Sequence, residues 1–225
     1  MRVTVNLKDC GTGAGGFQPG NTCASGGGGG RDGSFGNRIA SAQDRSTPPA
    51  TLVELSKHRD WSVRIAVARN PSSPPAALAA MAGDKNEAVR YSVAKNPETP
   101  VATLVAMSKD KAWRVRHGVT SNPKTPPDAL VKLSIDRDGG VREMVADNPN
   151  TPLATLTQLS RDKDPRVRFL VAKNTNTPAA ALAKLSKDED LGVRYRVAKN
   201  PQTPAATLAE LANDENEEVR NAARR

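Results

Sequence analysis

Apolar and polar positions along this chain repeat with a fixed step. Leu52, Leu78, Leu104, Leu130, Leu156, Leu182 and Leu208 stand 26 residues apart. Three residues on come Leu55, Met81, Met107, Leu133, Leu159, Leu185 and Leu211. A Val-Arg dipeptide keeps the same step, its valines being Val63, Val89, Val115, Val141, Val167, Val193 and Val219. A second apolar position follows four residues later, as with Val63 and Val67. Apolar residues three or four apart share one face of a helix. Each 26-residue unit therefore predicts two short helices, and neither insertion nor deletion breaks the register.

Turn residues mark the helix ends. The first helix of each unit follows a Ser/Thr-Pro pair, from Thr47-Pro48 to Thr203-Pro204. The hydroxyl is expected to cap free amides, and proline suits a first helical position because it has no N–H to leave unpaired. The second helix follows Asp60, Asn86, Asp138, Asp164, Asp190 or Asn216, with Ala112 as the exception. It is expected to end at Asn70, Asn96, Asn122, Asn148, Asn174 and Asn200 in the left-handed conformation that asparagine tolerates. So short a pair cannot bury its apolar face alone, and the units must stack into one continuous core. The prediction is an all-α superhelical solenoid of seven 26-residue two-helix repeats over 47–225. At helix spacings of roughly 8–10 Å it would be on the order of 60–70 Å long.

The unit Val89-Arg-Tyr-Ser-Val-Ala-Lys-Asn-Pro-Glu-Thr-Pro100, followed by Leu104 and Met107, resembles the variant leucine-rich repeat. That resemblance covers 47–225. It implies a HEAT-like helical solenoid without β-sheet, in which one helix of each pair is 3₁₀, and it implies no enzymatic activity. A founding member carries an iron–sulfur cluster in a cysteine-rich N-terminal region. A cluster needs about four thiolates, and only Cys10 and Cys23 are present here. The cluster is not expected, nor is any other cofactor or metal.

Composition changes the picture only before residue 47. Residues 1–46 include Gly26 to Gly30 in a row, and such a segment buries too little surface to offset its ordering entropy. It is read as a disordered Gly-rich tail. Gly11-Thr-Gly-Ala-Gly-Gly16 matches a dinucleotide-binding fingerprint, but Pro19 and Gly20 leave no helix after it. A flexible linker is the preferred reading there. The two cysteines are read as free thiols. The chain has no apolar run long enough to span a bilayer, and MRVTVNLKDC lacks a secretory core. A cytoplasmic address without membrane contact is the expectation.

The net charge of +9 favours acidic partners in general. The arginine after each valine lies beside the core face, and an aspartate stands six residues before six of them, as Asp110 does before Arg116. A stacked Asp–Arg ladder joining the repeats accounts for both columns. The Asp-x-Asp/Asn triplets lack the glycine and glutamate of a calcium loop.

The outer face of the second helices carries the candidate binding residues. Tyr91–Lys95, Phe169–Lys173 and Tyr195–Lys199 are aromatic–basic pairs four apart. His117, Arg69, Arg114, Arg166 and Arg196 join the same face. Glu143 and Asp147 interrupt it in the fourth unit. Trp61 and Trp113 share one column and are read as packing residues at a helix start. His58 and His117 fall in different columns and form no catalytic set. The chain is thus expected to be a non-enzymatic binding scaffold with a protein partner and no small-molecule cofactor. A nucleic-acid-binding solenoid using the basic–aromatic face is the alternative. A third, HEAT-like DNA glycosylase, reading ranks below both.

Overall fold

The computed structural model of the chain describes residues 33–224, with side chains from residue 36. Among the described residues there are fifteen helices and no strand. Seven short helices of seven residues each are α2 (Pro49–Leu55), α4 (Pro75–Met81), α6 (Val101–Met107), α8 (Pro127–Leu133), α10 (Leu153–Leu159), α12 (Ala179–Leu185) and α14 (Ala205–Leu211). They alternate with α1 (Gly33–Gln43), α3 (Trp61–Arg69), α5 (Glu87–Lys95), α7 (Trp113–Thr120), α9 (Gly139–Asp147), α11 (Pro165–Lys173), α13 (Leu191–Lys199) and α15 (Glu217–Ala223). All are α-helices, so the 3₁₀ helix implied by the family resemblance does not occur among the described residues. Each odd-numbered helix packs on the next odd-numbered helix, and each short helix packs on the odd-numbered helix that follows it.

One core runs through the stack. The Val63 column is fully buried in all seven units, and the Leu52 column is fully buried in the first six. Burial of one such side chain is worth about 1.5–3 kcal/mol. Leu208, in the same column, is only partly buried.

Polar side chains join the layers. The six aspartates and asparagines expected to cap the second helices do so, with Asp60 accepting from the Ser62 amide and Asn86 from the Ala88 amide at 2.8 Å each. Ala112 offers no side-chain cap. The Thr column behaves otherwise than expected. Proline itself occupies the N-cap position, and the preceding hydroxyl points back to the helix before. Thr99 Oγ1 donates to the Val93 carbonyl at 2.5 Å, and Thr151 to Val145 at 2.5 Å. A helix end leaves several carbonyls without intrahelical partners, and these hydroxyls satisfy one of them per unit.

The Asn column also departs from expectation. Asn96 closes α5 with φ −70° and ψ 127°, which is extended and not left-handed. Its Nδ2 donates to the Ala68 and Asn70 carbonyls of the previous unit at 2.8 and 2.9 Å. Its Oδ1 accepts from the Glu98 amide at 2.8 Å. Asparagine is needed there for its two donors across the layer boundary, not for a tolerated backbone.

The Asp–Arg ladder exists, with its rungs in a different register from the pairing of Arg116 with Asp110. Each arginine clamps the aspartate twenty residues ahead, in the next unit. Nε and Nη2 meet the two carboxylate oxygens in Arg64–Asp84, Arg90–Asp110, Arg116–Asp136, Arg142–Asp162, Arg168–Asp188 and Arg194–Asp214. The aspartate six residues back contributes its main-chain carbonyl instead, as Asp110 does to Arg116 Nη1 at 2.8 Å. Burial works to raise the Asp110 carboxyl. The Arg90 hydrogen bond and the Ala112 amide together outweigh it and hold that carboxyl below its ordinary range.

The solenoid begins earlier than residue 47. Helix α1 lies within the segment read as tail, and the readings for residues 1–32, including Cys10 and Cys23, lie outside the described residues. Three columns continue backwards by one step of 26 into this helix and its exit. Ala42 is fully buried at the position of Ala68. The Ala42 and Asp44 carbonyls accept from Asn70 Nδ2 at 2.9 and 2.8 Å. Arg38 sits in the arginine column, and His58 replaces aspartate as its partner, with Nη1 and Nε2 at 2.9 Å. Helix α1 is thus the second helix of an additional, degenerate unit.

Candidate partner-binding surface

The odd-numbered helices share one surface face, because each from α3 to α13 turns its Val column inward and leaves its column two residues later half-buried at the rim of the core. Gly118 brings α5 and α7 close together. A Cβ there would lie 3.0 Å from the Ala94 Cβ and 3.1 Å from the Tyr91 ring. The Tyr91 ring consequently lies against α7 beside His117.

A cleft of about 710 Å³ on this face lies between α5 and α7. Tyr91, Trp113, Arg114 and His117 line it with Lys85 and Glu87. Trp113 stands edge-on to His117, with ring centroids 6.2 Å apart. The Arg114 guanidinium lies 5.6 Å from the Trp113 ring, and Lys95 Nζ lies 5.8 Å from the Tyr91 ring. Burial, and then the nearby Lys95, push the His117 imidazole below its usual range. This environment favours the neutral imidazole, which offers one donor and one acceptor.

A second cleft of about 500 Å³ lies between α1 and α3, lined by Ile39, Arg45, Trp61, Ile65 and Arg69 among others. Trp61 and Trp113 are 51 % and 44 % exposed. Both are half-exposed at the first helical position, and Trp113 also reaches the next layer, where its ring edge lies 4.0 Å from the position of a Cβ on Gly140. Recurrence of one residue type two units apart, at a position where the other units carry Glu, Gly, Pro or Leu, is the signal that separates them from core.

The C-terminal half of the face differs. Arg166 is held by Asp164 at 3.0 Å, and its Nε lies 3.3 Å from Glu143 Oε1 without hydrogen-bond alignment. Lys173 does not pair with Phe169. Its Nζ donates to Asp147 of the previous unit at 2.9 Å. Arg196 from the next unit covers Phe169 instead, at 4.8 Å. Lys199 and Tyr195 do form the expected pair, at 6.0 Å. A third cleft of about 390 Å³ is lined by Phe169 and Pro165 with Glu143, Arg166 and Asp190. Arg45, Arg69, Lys85, Lys95 and Arg114 make no ion pair among the described residues, whereas in α11 Arg166 and Lys173 are paired with carboxylates.

His58 lies between α2 and α3, and His117 lies on α7. Among the described residues no group of three or more His, Cys, Asp or Glu side chains is placed to hold a metal, and no helix is long and apolar enough to cross a membrane.

The family model described as "Leucine rich repeat variant" matches residues 61–86 and 139–164. No curated protein matches the chain. Among solved structures, the chain is similar to a leucine-rich repeat variant with a novel repetitive structural motif. The two share 29 % identity with a TM-score of 0.62, over 83 % of this chain and 80 % of that one. An engineered protein aligns at 17 % identity and a TM-score of 0.47, over 86 % of this chain and 74 % of its own. An archaeal HEAT-like repeats protein from Thermococcus onnurineus NA1 aligns at 13 % and 0.38, over 85 % and 90 %. By its repeats and its architecture, this chain is a helical tandem-repeat solenoid similar to the leucine-rich repeat variant.

Proposed function

We propose that the chain is a non-enzymatic scaffold that binds a polypeptide partner on the outer face of its odd-numbered helices. One observation carries this reading. The face presents open aromatic-floored clefts at Trp61 and at Trp113, while its would-be basic stripe is interrupted in α9 and α11, where Glu143, Asp147 and Asp164 engage Arg166 and Lys173. Exposed tryptophans in clefts with flanking arginines are the residues that dominate protein–protein recognition. A nucleic acid needs bases that stay free along the backbone it tracks, and Arg166 and Lys173 are already engaged. An enzyme would need a tuned acid or base. Of the carboxylates near Trp113, Glu87 is exposed and Asp138 is committed to capping α9.

The test is capture by the full chain with and without nuclease, repeated with Tyr91→Ala and Arg114→Glu. The expected result is a partner retained after nuclease treatment and lost with either substitution. Release by nuclease would overturn the reading. So would DNA or RNA affinity falling with salt at a slope of about −3.5 to −4.5, as about five phosphate contacts require.

A further inference from the structure

The two tryptophan clefts share one column and are two units apart. Stacked helices lie roughly 8–10 Å apart, so Trp61 and Trp113 are about 16–20 Å from each other along the face. An extended chain rises about 3.3 Å per residue and covers that span in five or six residues. Each cleft has an apolar floor, of Ile39, Trp61 and Ile65 in one and of Tyr91 and Trp113 in the other. Arg45 and Arg69 line the first, Lys85 and Arg114 line the second, and Glu87 is the only carboxylate lining either. The third cleft reverses this balance with Glu143 and Asp190.

We propose that the occupant is an extended acidic segment with two bulky apolar side chains about five or six residues apart, one in the Trp61 cleft and one in the Trp113 cleft. This rests on the polypeptide-binding reading above. Its acidic residues meet Arg69, Lys95 and Arg114, and its course ends before α9, where Glu143 and Asp147 repel it. Gly139 and Gly140 at the start of α9 mark that boundary with no side chain to grip. The two anchors act as linked weak sites, and holding one raises the effective concentration of the other to the millimolar range.

The chain has two tryptophans, one in each cleft, so single-tryptophan forms made by Trp61→Phe and Trp113→Phe report each cleft separately by fluorescence. The probe is a Glu-rich peptide with two phenylalanines about six residues apart, added to the full-length chain. Both forms are expected to report one shared midpoint. A peptide with a single phenylalanine, or with lysines in place of glutamates, is expected to bind at least about tenfold more weakly. Arg69→Glu and Arg114→Glu, both on exposed side chains, should each weaken the two-anchor peptide while leaving helicity unchanged. The proposal is overturned by equal binding of the one-anchor peptide, by equal binding of the lysine peptide, or by different midpoints at the two clefts. Quenching of both tryptophans by a single-stranded oligonucleotide and not by the peptide would overturn it as well. If the peptide fails while nuclease-resistant capture through Tyr91 and Arg114 persists, the two-anchor inference falls alone. Loss of that capture removes the reading beneath it.

Discussion

Arg116 grips the Asp136 carboxylate of the following unit through Nε at 2.5 Å and Nη2 at 2.8 Å, while its Nη1 donates to the Asp110 carbonyl at 2.8 Å. One guanidinium therefore ties a loop of its own unit to the next layer, with both charged side chains 8 % exposed.

Removing one partner of such a pair leaves the other charge poorly solvated. Arg116→Ala should destabilise the chain by about 2–4 kcal/mol, and exposed Lys95→Ala by less than about 0.5 kcal/mol. Thermal or urea unfolding checks both. A double-mutant cycle adds the register: Arg116 should couple to Asp136, and substitution of the Asp110 side chain should couple to Arg90 instead. Equal small losses at Arg116 and Lys95 would rule the ladder out as a source of stability.

The ladder also sets the response to acid. The carboxyls of Asp84, Asp110, Asp136, Asp162 and Asp214 are all held below 3.8. A group whose folded value is depressed binds fewer protons folded than unfolded, so its contribution is present above the unfolded value and is lost as pH falls through the folded one. The melting temperature should stay nearly level down to about pH 5 and decline below about pH 4. Asp136→Asn should make that decline shallower. A chain whose melting temperature rises on acidification would contradict the pairing.

Asn96 distinguishes a donor role from a backbone role. If asparagine served as a left-handed cap, Asn96→Gly would be neutral or stabilising. The extended backbone and the two carbonyl partners predict the opposite, a loss of about 2–4 kcal/mol for either Gly or Ala, since two buried carbonyls lose their donor. Asn96→Asp should be at least as costly, because it sets a carboxylate against those oxygens. Denaturant unfolding of the three variants decides the matter.

The Arg38–His58 rung is imperfect for a reason of proton counting. His58 Nδ1 accepts from the Asp60 amide at 3.1 Å, so a neutral ring carries its proton on Nε2, which faces the Arg38 donor. Two donors then confront each other. His58→Asp should restore the rung found in the other units and stabilise the docking of α1, by a few tenths to about 1 kcal/mol at this exposed site. Hydrogen exchange of the α1 amides should slow; faster exchange would show that histidine is the better partner.

The periodic part of this fold was legible because stacking repeats the same burial at the same residue, as the Leu52 and Val63 columns show. The ladder was legible as composition, two charged columns beside a core face, but its direction was not. Spacing along the chain gives Asp110 and Arg116 as neighbours, whereas the side chain of Arg116 reaches across a layer boundary that no local pattern encodes. The same limit hid the functions of Thr99 and Asn96, whose partners lie in other helices. On the outer face, Tyr91–Lys95 and Tyr195–Lys199 form as intrahelical spacing implies. Lys173 and Arg196 are drawn to Asp147 and Phe169 of the previous unit, because inter-unit neighbours compete on equal terms with those one turn away. Helix α1 escaped notice because its valine position is Asn37 and its asparagine position Asp44, leaving Arg38 as the one legible mark.

The guanidinium leaves each layer in the forward direction and the carboxylate waits on the layer ahead, so the junction between neighbours is head-to-tail and the same at every step. A duplicated stretch of 26 residues therefore arrives with both halves of a working junction, one on each side, and needs no new contacts to be accepted. Such a chain lengthens or shortens by whole layers at little cost in fold, while a slip of one residue mispairs every rung beyond it. A head-to-tail junction of this kind is heterologous, so the same contact is repeated from one layer to the next.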